Sequence, residues 1–496
     1  MTTLPRHAAI YLLIIGLLSL FQIVIGANLL VLVAIDLVCL TALVPMTRKA
    51  FDPVDLLFIS LSFYYGTFSL VLKSLVFQPV QENLQVPLLT SIYLVSGFGL
   101  IFLAYLYVTR AMSSYYPGTR LRTWGTFERS YADPRFLSRF TLPLTLAANL
   151  FAIIIAMSSH SVQEVANGLA KASSLTTLGS LVPIIQLALA MQLSLLTRRG
   201  AQIDRTLVFL TLGVGLALSV LNNQKALGFM LGATCAVHMV AYRVRVRPRI
   251  LVIGIAGAMV MFLYITPLIH IVRGMDLAKS DRIAQTFQIL QEAHFNPLEL
   301  SEIEAKMPGA IDENALATRL DYLAPYNLNT DRFTQLMPID QTARATLTEP
   351  IGLDAYFTEL ASEILPKFLI KERSLDALPD QIAWRFGIRE TNVISRPTLG
   401  LLGTSFGVAG PWGILVIAPL IMLGYFVLIK RVCNGSIWQN PWAVFIASTG
   451  FFFGEQDLTL PAWIARTFLP LLLIAALIVA YDRLFNRTQR NAHHNL

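Results

Sequence analysis

The sequence predicts an all-α, multi-spanning membrane protein of about 12 transmembrane helices with one α-helical periplasmic segment. Three observations predict it. Of 496 residues, 55% are hydrophobic and 14% charged, with a mean hydropathy of +0.61; a soluble domain carries about a quarter charged residues. Apolar runs recur along the chain at about the 20 residues needed to cross a hydrocarbon core. The short loops joining alternate runs are basic.

The expected spans, in order, are 8–25, 28–46, 55–77, 87–108, 139–159, 177–197, 206–221, 227–242, 250–271, 409–429, 441–455 and 461–481. The opening MTTLPRHAAIYLLIIGLLSL begins like a signal peptide. It lacks a small-x-small cleavage site followed by polar sequence, and another apolar run follows at once, so it reads as the first span.

Orientation follows from the arginines and lysines. TRKAFDP (47–53), the 109–138 loop, TRRGAQIDR (197–205), YRVRVRPR (242–249), the loop opening IKRV (429–432) and the tail YDRLFNRTQR share one side. The other side carries QPVQENLQ, HSVQEVANGLAKASS, LNNQKA, residues 272–397 and GEQDLTLP. Short loops rich in Lys and Arg stay in the cytoplasm, which places both termini there. The expected organisation is a bundle over 1–271, a periplasmic segment over 272–397, further spans over 398–484 and a cytoplasmic tail over 485–496. The long segment is expected to face the periplasm or cell exterior.

Charge follows the same division. Residues 272–396 hold 19 acidic and 13 basic side chains, leaving 11 and 25 elsewhere. Topology thus accounts for most of the net charge of +8, and a nucleic-acid partner is not needed to explain it. Cys39, Cys235 and Cys433 have no paired spacing, which argues against a disulfide framework or a thiolate metal site. No Walker loop, HExxH or dinucleotide fingerprint occurs.

Within the long segment, 277–306 has helical spacing at Ile283, Phe287 and Leu290. Residues 307–350, with four prolines, read as irregular. LDAYFTELASEILPKFLI (353–370) reads as amphipathic helix up to Pro366. The segment is small for an independent domain and is expected to pack on the external mouth of the bundle.

Four polar clusters fall on that side: Asn222, Asn223, Gln224 and Lys225; His270, Arg273, Asp281 and Arg282; Lys367, Lys371, Arg373, Arg385, Arg389, Glu390 and Arg396; and Glu455, Asp457 and Arg466. Any single arginine can be a headgroup anchor, and Glu455, Asp457 and Arg466 can be a structural ion pair. The positive-inside bias does not favour basic clusters outside, and ionisable groups at membrane depth are costly, which makes a site the default reading. Asp36 and His238 lie deeper and read as buried, hydrogen-bonded groups. In ISRPTLGLLGTSFG (394–407), the small residues from Gly400 to Gly407 permit close approach of backbone or ligand. Pro397 suits a first helical position, and a helix start beside the Arg396 fork suits a phosphate.

These features together resemble the Wzy family of oligosaccharide repeat-unit polymerases, especially its enterobacterial common antigen branch. The family's short polar corner ending in a basic residue is matched by NNQK with Lys225. Its "IP–x–L–basic" and "SPT–G" stretches are matched by ILPKFLIKERS (364–374) and ISRPTLGLLG (394–403). Its acidic residues before an arginine-led span are matched by GEQDLTLPAWIARTF (454–468). Arg396 and Gly407 fit an Arg–ten residues–Gly pattern. The chain departs from the family where Arg396 splits the Ser–Pro pair, where Lys225 replaces arginine, and in the acidic spacing before Arg466.

The resemblance implies a GT-C-like fold and a glycosyltransferase that moves a glycan from one undecaprenyl-pyrophosphate carrier onto a second carrier-linked unit. It needs neither cofactor nor metal. The partners implied are the lipid-linked donor and acceptor and membrane lipid, and a chain-length regulator is admitted too. Lys225, Arg273, Arg282, Lys371, Arg373, Arg389, Arg396 and Arg466 would hold pyrophosphate and substrate, and Glu455, Asp457 or Glu390 would be the base. An O-antigen ligase-like enzyme fits the same clusters. A lipid-linked oligosaccharide flippase fits less well, because no halving of the chain is visible.

Overall fold

The structure is a computed structural model. It describes residues 5–48, 52–112, 134–158, 183–197, 205–221, 226–242, scattered positions of 252–272, 279–306, 322–323, 333–345, 348–364, 378–388, 398–433, 441–453 and part of 467–480. The described residues are helical, with no strand among them. Contacts divide the chain into two units: Met1–Tyr115 with Ile311–Ile437 and Ile446–Trp463, and Tyr116–Ala310 with Trp438–Phe445 and Ile464–Leu496.

The first unit begins with α1 (Arg6–Val24), α2 (Leu29–Thr41) and the short α3 (Leu43–Met46). Next come α4 (Pro53–Ser62), a π-helical turn (Phe63–Thr67) and α5 (Phe68–Leu75), which run on as one rod, and then α6 (Pro87–Ala111). Local sequence explains the starts. Asn28 caps α2 by accepting from the Leu30 and Val31 amides, and Asp52 with Asp55 forms a capping box ahead of Pro53. Pro87 opens α6, where its missing N–H leaves nothing unsatisfied.

From the long polar segment this unit takes α13 (Leu336–Arg344), α14 (Leu353–Ile364) and α15 (Leu378–Arg385). It then continues with α16 (Gly400–Ala409), a π turn (Gly413–Ile417) and α17 (Ala418–Cys433). The packing centre is α6, with α17 and α2 against it; Phe58 stacks on Tyr105 with centroids 4.4 Å apart and also touches Phe98 and Phe426.

The second unit contains α7 (Pro134–Ser158), α8 (Ile184–Thr197), α9 (Arg205–Leu221) and α10 (Ala226–Ala241) as mutually packed apolar helices. To these it adds α11 (Lys279–Glu292) and α12 (Pro297–Lys306). The remaining long helix, α18, is Pro441–Phe453.

Among the described residues five helical rods are long and apolar enough to cross a membrane: Arg6–Val24, Leu29–Met46, Pro53–Leu75, Pro87–Ala111 and Gly413–Arg431. They coincide with the expected spans 8–25, 28–46, 55–77, 87–108 and 409–429. Shorter apolar helices occupy 140–155, 184–197, 205–219 and 227–240. This is the make-up of a helical membrane protein.

Two expectations are corrected and one holds in part. The 307–350 stretch is not irregular throughout, because α13 lies within it and residues 334–343 are all buried. The helix expected from Ile283, Phe287 and Leu290 is present as α11, and Leu290 packs on the buried cluster of Leu268, Ile271, Ile289, Ala293 and Leu300, but Phe287 is 60% exposed. His238 is buried and stacks on Tyr242 with centroids 4.3 Å apart, but neither ring nitrogen has a hydrogen-bond partner among the described residues.

The two ends of the first unit are each tied by polar contacts. At one, Arg48 donates to Asp55 at 2.9 Å, Tyr105 donates to the same carboxylate at 2.6 Å, and Lys430 pairs with Asp52. This end joins the TRKAFDP loop to the IKRV loop. At the other, the QPVQENLQ loop meets the polar segment. Asp340 accepts from the Gln85 and Val86 amides and the Thr90 hydroxyl, each at 2.9 Å, and Arg344 donates to Gln85. Asn83 donates to the Tyr322 carbonyl at 2.9 Å, and the Tyr322 hydroxyl donates to the Val80 carbonyl.

Candidate functional site

The stretch that drew attention in the sequence forms α16, and all of Gly400–Val408 is buried. Its glycines are where neighbouring helices come closest. A Cβ on Gly403 would stand 3.1 Å from the Pro338 side chain of α13, and one on Gly407 would stand 2.5 Å from Ile382 of α15. Gly400 has φ +61°, a backbone region that disfavours a side chain. A Cβ there would overlap the Gln335 amide and lie 3.0 Å from the Tyr65 hydroxyl. The small residues therefore admit the protein's own helices. The helix also starts at Gly400, three residues after Pro397, and its Leu402 amide already donates to Tyr65 at 3.0 Å. Residues 394–397, where the sequence suggests an anion site, lie outside the described residues.

The other end of α16 is closed as well. Ile351 and Gly352 donate their amides to the Gly407 and Val408 carbonyls, each at 3.0 Å, satisfying acceptors the helix leaves open. Gly410, at φ +60°, donates to the Phe406 carbonyl and turns the chain. Gly413 then lies on the Ser405 carbonyl with no room for a Cβ. Helices α13, α14 and α15 thus collect around α16.

This arrangement fixes where several predicted residues leave and rejoin the described chain. Lys371 and Arg373 lie between the end of α14 at Ile364 and the start of α15 at Leu378. Arg389 and Glu390 directly follow Ile388, and Arg396 precedes Thr398 by two residues. Ile388 and Leu399, which flank that stretch, are both buried.

Lys225, Arg273, Lys371, Arg373, Arg389, Glu390, Arg396, Glu455, Asp457 and Arg466 lie outside the described residues, and Arg282 is described only as a backbone position of α11. By unit, Lys371, Arg373, Arg389, Glu390, Arg396, Glu455 and Asp457 belong to the first; Lys225, Arg273, Arg282 and Arg466 belong to the second. Of the third basic cluster, Arg385 is described in full. It is half-exposed at the end of α15, with Nη2 3.6 Å from the Glu349 carboxylate and Nε donating to the Glu349 carbonyl at 3.3 Å. On α14, burial pushes the Tyr356 phenol above its ordinary pKa.

Sequence reasoning missed the groups that hold this region in place. Asp340 is fully buried, yet its carboxylate caps α6 from another helix. Lys73 is also fully buried; it donates to the Gln78 side chain at 2.8 Å and to the Glu82 carbonyl at 2.9 Å. The same ammonium lies 4.3 Å from the centre of the Tyr322 ring. Gln22 completes the lock by donating to Ser74 at 3.0 Å and accepting from the Val80 amide at 3.0 Å. For Lys73 and Gln22 the available signal was a charged or amide residue inside an otherwise apolar run, whereas Asp340 lies in a polar stretch. Among the described residues no three His, Cys, Asp or Glu side chains come together as metal ligands would.

No protein-family model matches the chain, and neither a curated protein nor a solved structure shows detectable similarity to it.

Proposed function

We propose that this chain is a GT-C-type membrane glycosyltransferase that joins undecaprenyl-pyrophosphate-linked repeat units at the external face of a bacterial inner membrane. The observation that carries the reading is the gathering of α13, α14 and α15 around α16. It makes the two basic stretches, with Lys371 and Arg373 in one and Arg389 and Arg396 in the other, begin and end at positions of one packed helix group. A lipid-borne pyrophosphate needs several cations together, and the two stretches that start or finish on this group carry four of them in sequence.

In this reading about 12 spans carry the site, and the polar segment faces outward. The acceptor hydroxyl attacks the donor's anomeric carbon, the bond from that carbon to the pyrophosphate oxygen breaks, and undecaprenyl pyrophosphate leaves. Arginines and lysines neutralise the charge that grows on the leaving group, commonly the largest single catalytic effect. A carboxylate among Glu455, Asp457 and Glu390 takes the hydroxyl proton, worth about 10²–10⁴ in rate.

The test is in cells. Deleting the gene from the source bacterium is expected to collapse the laddered surface glycan to at most one repeat unit, with re-expression restoring the ladder. An unchanged ladder contradicts the proposal. Loss of all glycan transfer to the lipid A core, with polymer still accumulating on its carrier, identifies a ligase instead.

A further inference from the structure

Among the described residues of the first unit, helices α1 and α2 present a large apolar surface that is not covered. On α1, Leu13, Leu17 and Leu20 are each about 60% exposed. Gly16 lies among them on an open face, where a Cβ would meet nothing within 4 Å. A glycine in a helix interior costs stability relative to alanine, and here no packing among the described residues uses the space it leaves. Small residues are what allow a second helix to approach closely in lipid.

On α2 the exposed stripe runs Val33, Leu37 and Leu40, and Asp36 sits in the same stripe, one turn from each end of it. Asp36 is half-buried and accepts a hydrogen bond from the Ser19 hydroxyl of α1 at 2.8 Å. It has no cationic partner among the described residues. It is the eighth residue of an 18-residue rod, which puts it about 10 Å from one end and 15 Å from the other at 1.5 Å per residue. A carboxylate at that depth is costly unless a partner compensates it, and such residues ordinarily face a bundle interior.

We infer that the α1/α2 face docks a transmembrane helix of another protein that carries a lysine or arginine at the level of Asp36. The groove beside Gly16 and Ser19 admits its backbone, and the exposed leucines flank it. Charge decides against a second copy of this chain as occupant. A two-fold interface on this face would bring Asp36 against Asp36, two like charges in lipid.

The probe is a leucine-rich transmembrane peptide of about 24 residues with one central lysine, compared with the same peptide carrying leucine there. Each is dye-labelled and titrated, in nanodiscs of phosphatidylethanolamine and phosphatidylglycerol, against the full-length chain labelled at its N-terminus. Energy transfer is expected to show the lysine peptide binding about tenfold tighter, as one intramembrane polar contact allows. Asp36→Leu should abolish that preference, and Asp36→Asn should reduce it. Gly16→Leu, on open surface where it disturbs no internal contact, should weaken both peptides. Equal binding of the two peptides overturns the inference, as does a lysine preference that survives Asp36→Leu. Self-association of differently labelled copies that Gly16→Leu abolishes also overturns it, in favour of a homodimer.

Discussion

Replacing Asp340 with alanine removes the one carboxylate that ties α13 to the start of α6. The Gln85 and Val86 amides and the Thr90 hydroxyl each lose an acceptor 2.9 Å away. A hydroxyl can turn to a new acceptor, but two amides at a helix start cannot. Orphaned donors cost about 1–3 kcal/mol each, so the detachment of α13 becomes easier by about 2–5 kcal/mol. Asparagine keeps one acceptor oxygen and should cost about half as much. Trypsin reads the difference. Cleavage after Arg344, the last residue of α13, requires the helix to open, and its rate follows the open population when reclosing is fast. At about 1.4 kcal/mol per factor of ten, the alanine variant should be cut at least about 30-fold faster than the parent. Asparagine should fall between the two. A rate within about twofold of the parent for alanine would refute the reasoning, because the polar segment would then be held by something other than this cap.

Packing around α16 gives a second expectation: Gly407→Val drives side-chain atoms into Ile382, overpacking that costs about 1–3 kcal/mol, and it should lower the thermal unfolding midpoint in detergent; an unchanged midpoint contradicts the close packing. Arg373→Ala and Arg396→Ala should each abolish polymer while the protein still reaches the membrane, and Arg396→Lys should restore it only in part, since a point charge does not replace a planar fork; normal yield from both alanine variants sinks the pyrophosphate assignment. Near the start of α12, hydrogen bonds from His294 and Asn296 hold the Glu299 carboxyl below its ordinary 4.5. Because the folded value is the lower one, the helix gains from this group above pH 4.5 and loses the gain as pH falls through the folded value. Hydrogen exchange in α12, corrected for intrinsic rate, should therefore show less protection at acid pH, and Glu299→Gln should remove the dependence.

Much of the architecture was legible because hydrophobic density carries it. The four N-terminal rods and Gly413–Arg431 are long, nearly uncharged runs, and nothing but a helix satisfies their backbone in lipid. The sides assigned to loops agree with which loops touch: TRKAFDP meets IKRV through Asp52 and Lys430, and QPVQENLQ meets the polar segment through Asp340. Helix α13 was hidden for a physical reason. Thr334, Gln335, Asp340, Gln341 and Thr342 are polar and yet buried, and Asp340 finds its partners about 250 residues away along the chain. No local pattern announces such pairing. The glycines of 400–407 correctly signalled close approach, but a glycine does not say what approaches, and Pro338 and Ile382 do. On α11 the apolar spacing identified the helix and Leu290, which packs on the buried cluster, but apolar character alone did not show that Phe287 is exposed while the polar Thr286 is buried.

The most direct measurement of the central claim is reconstitution. The purified chain in nanodiscs is given a synthetic undecaprenyl-pyrophosphate repeat unit and nothing else, and the products are separated by length. The account predicts a ladder of lipid-linked oligomers with one undecaprenyl pyrophosphate released per bond formed, lost in Arg373→Ala. A repeat unit that stays monomeric with the folded chain, or a ladder of the same yield in Arg373→Ala and Arg396→Ala, would contradict it.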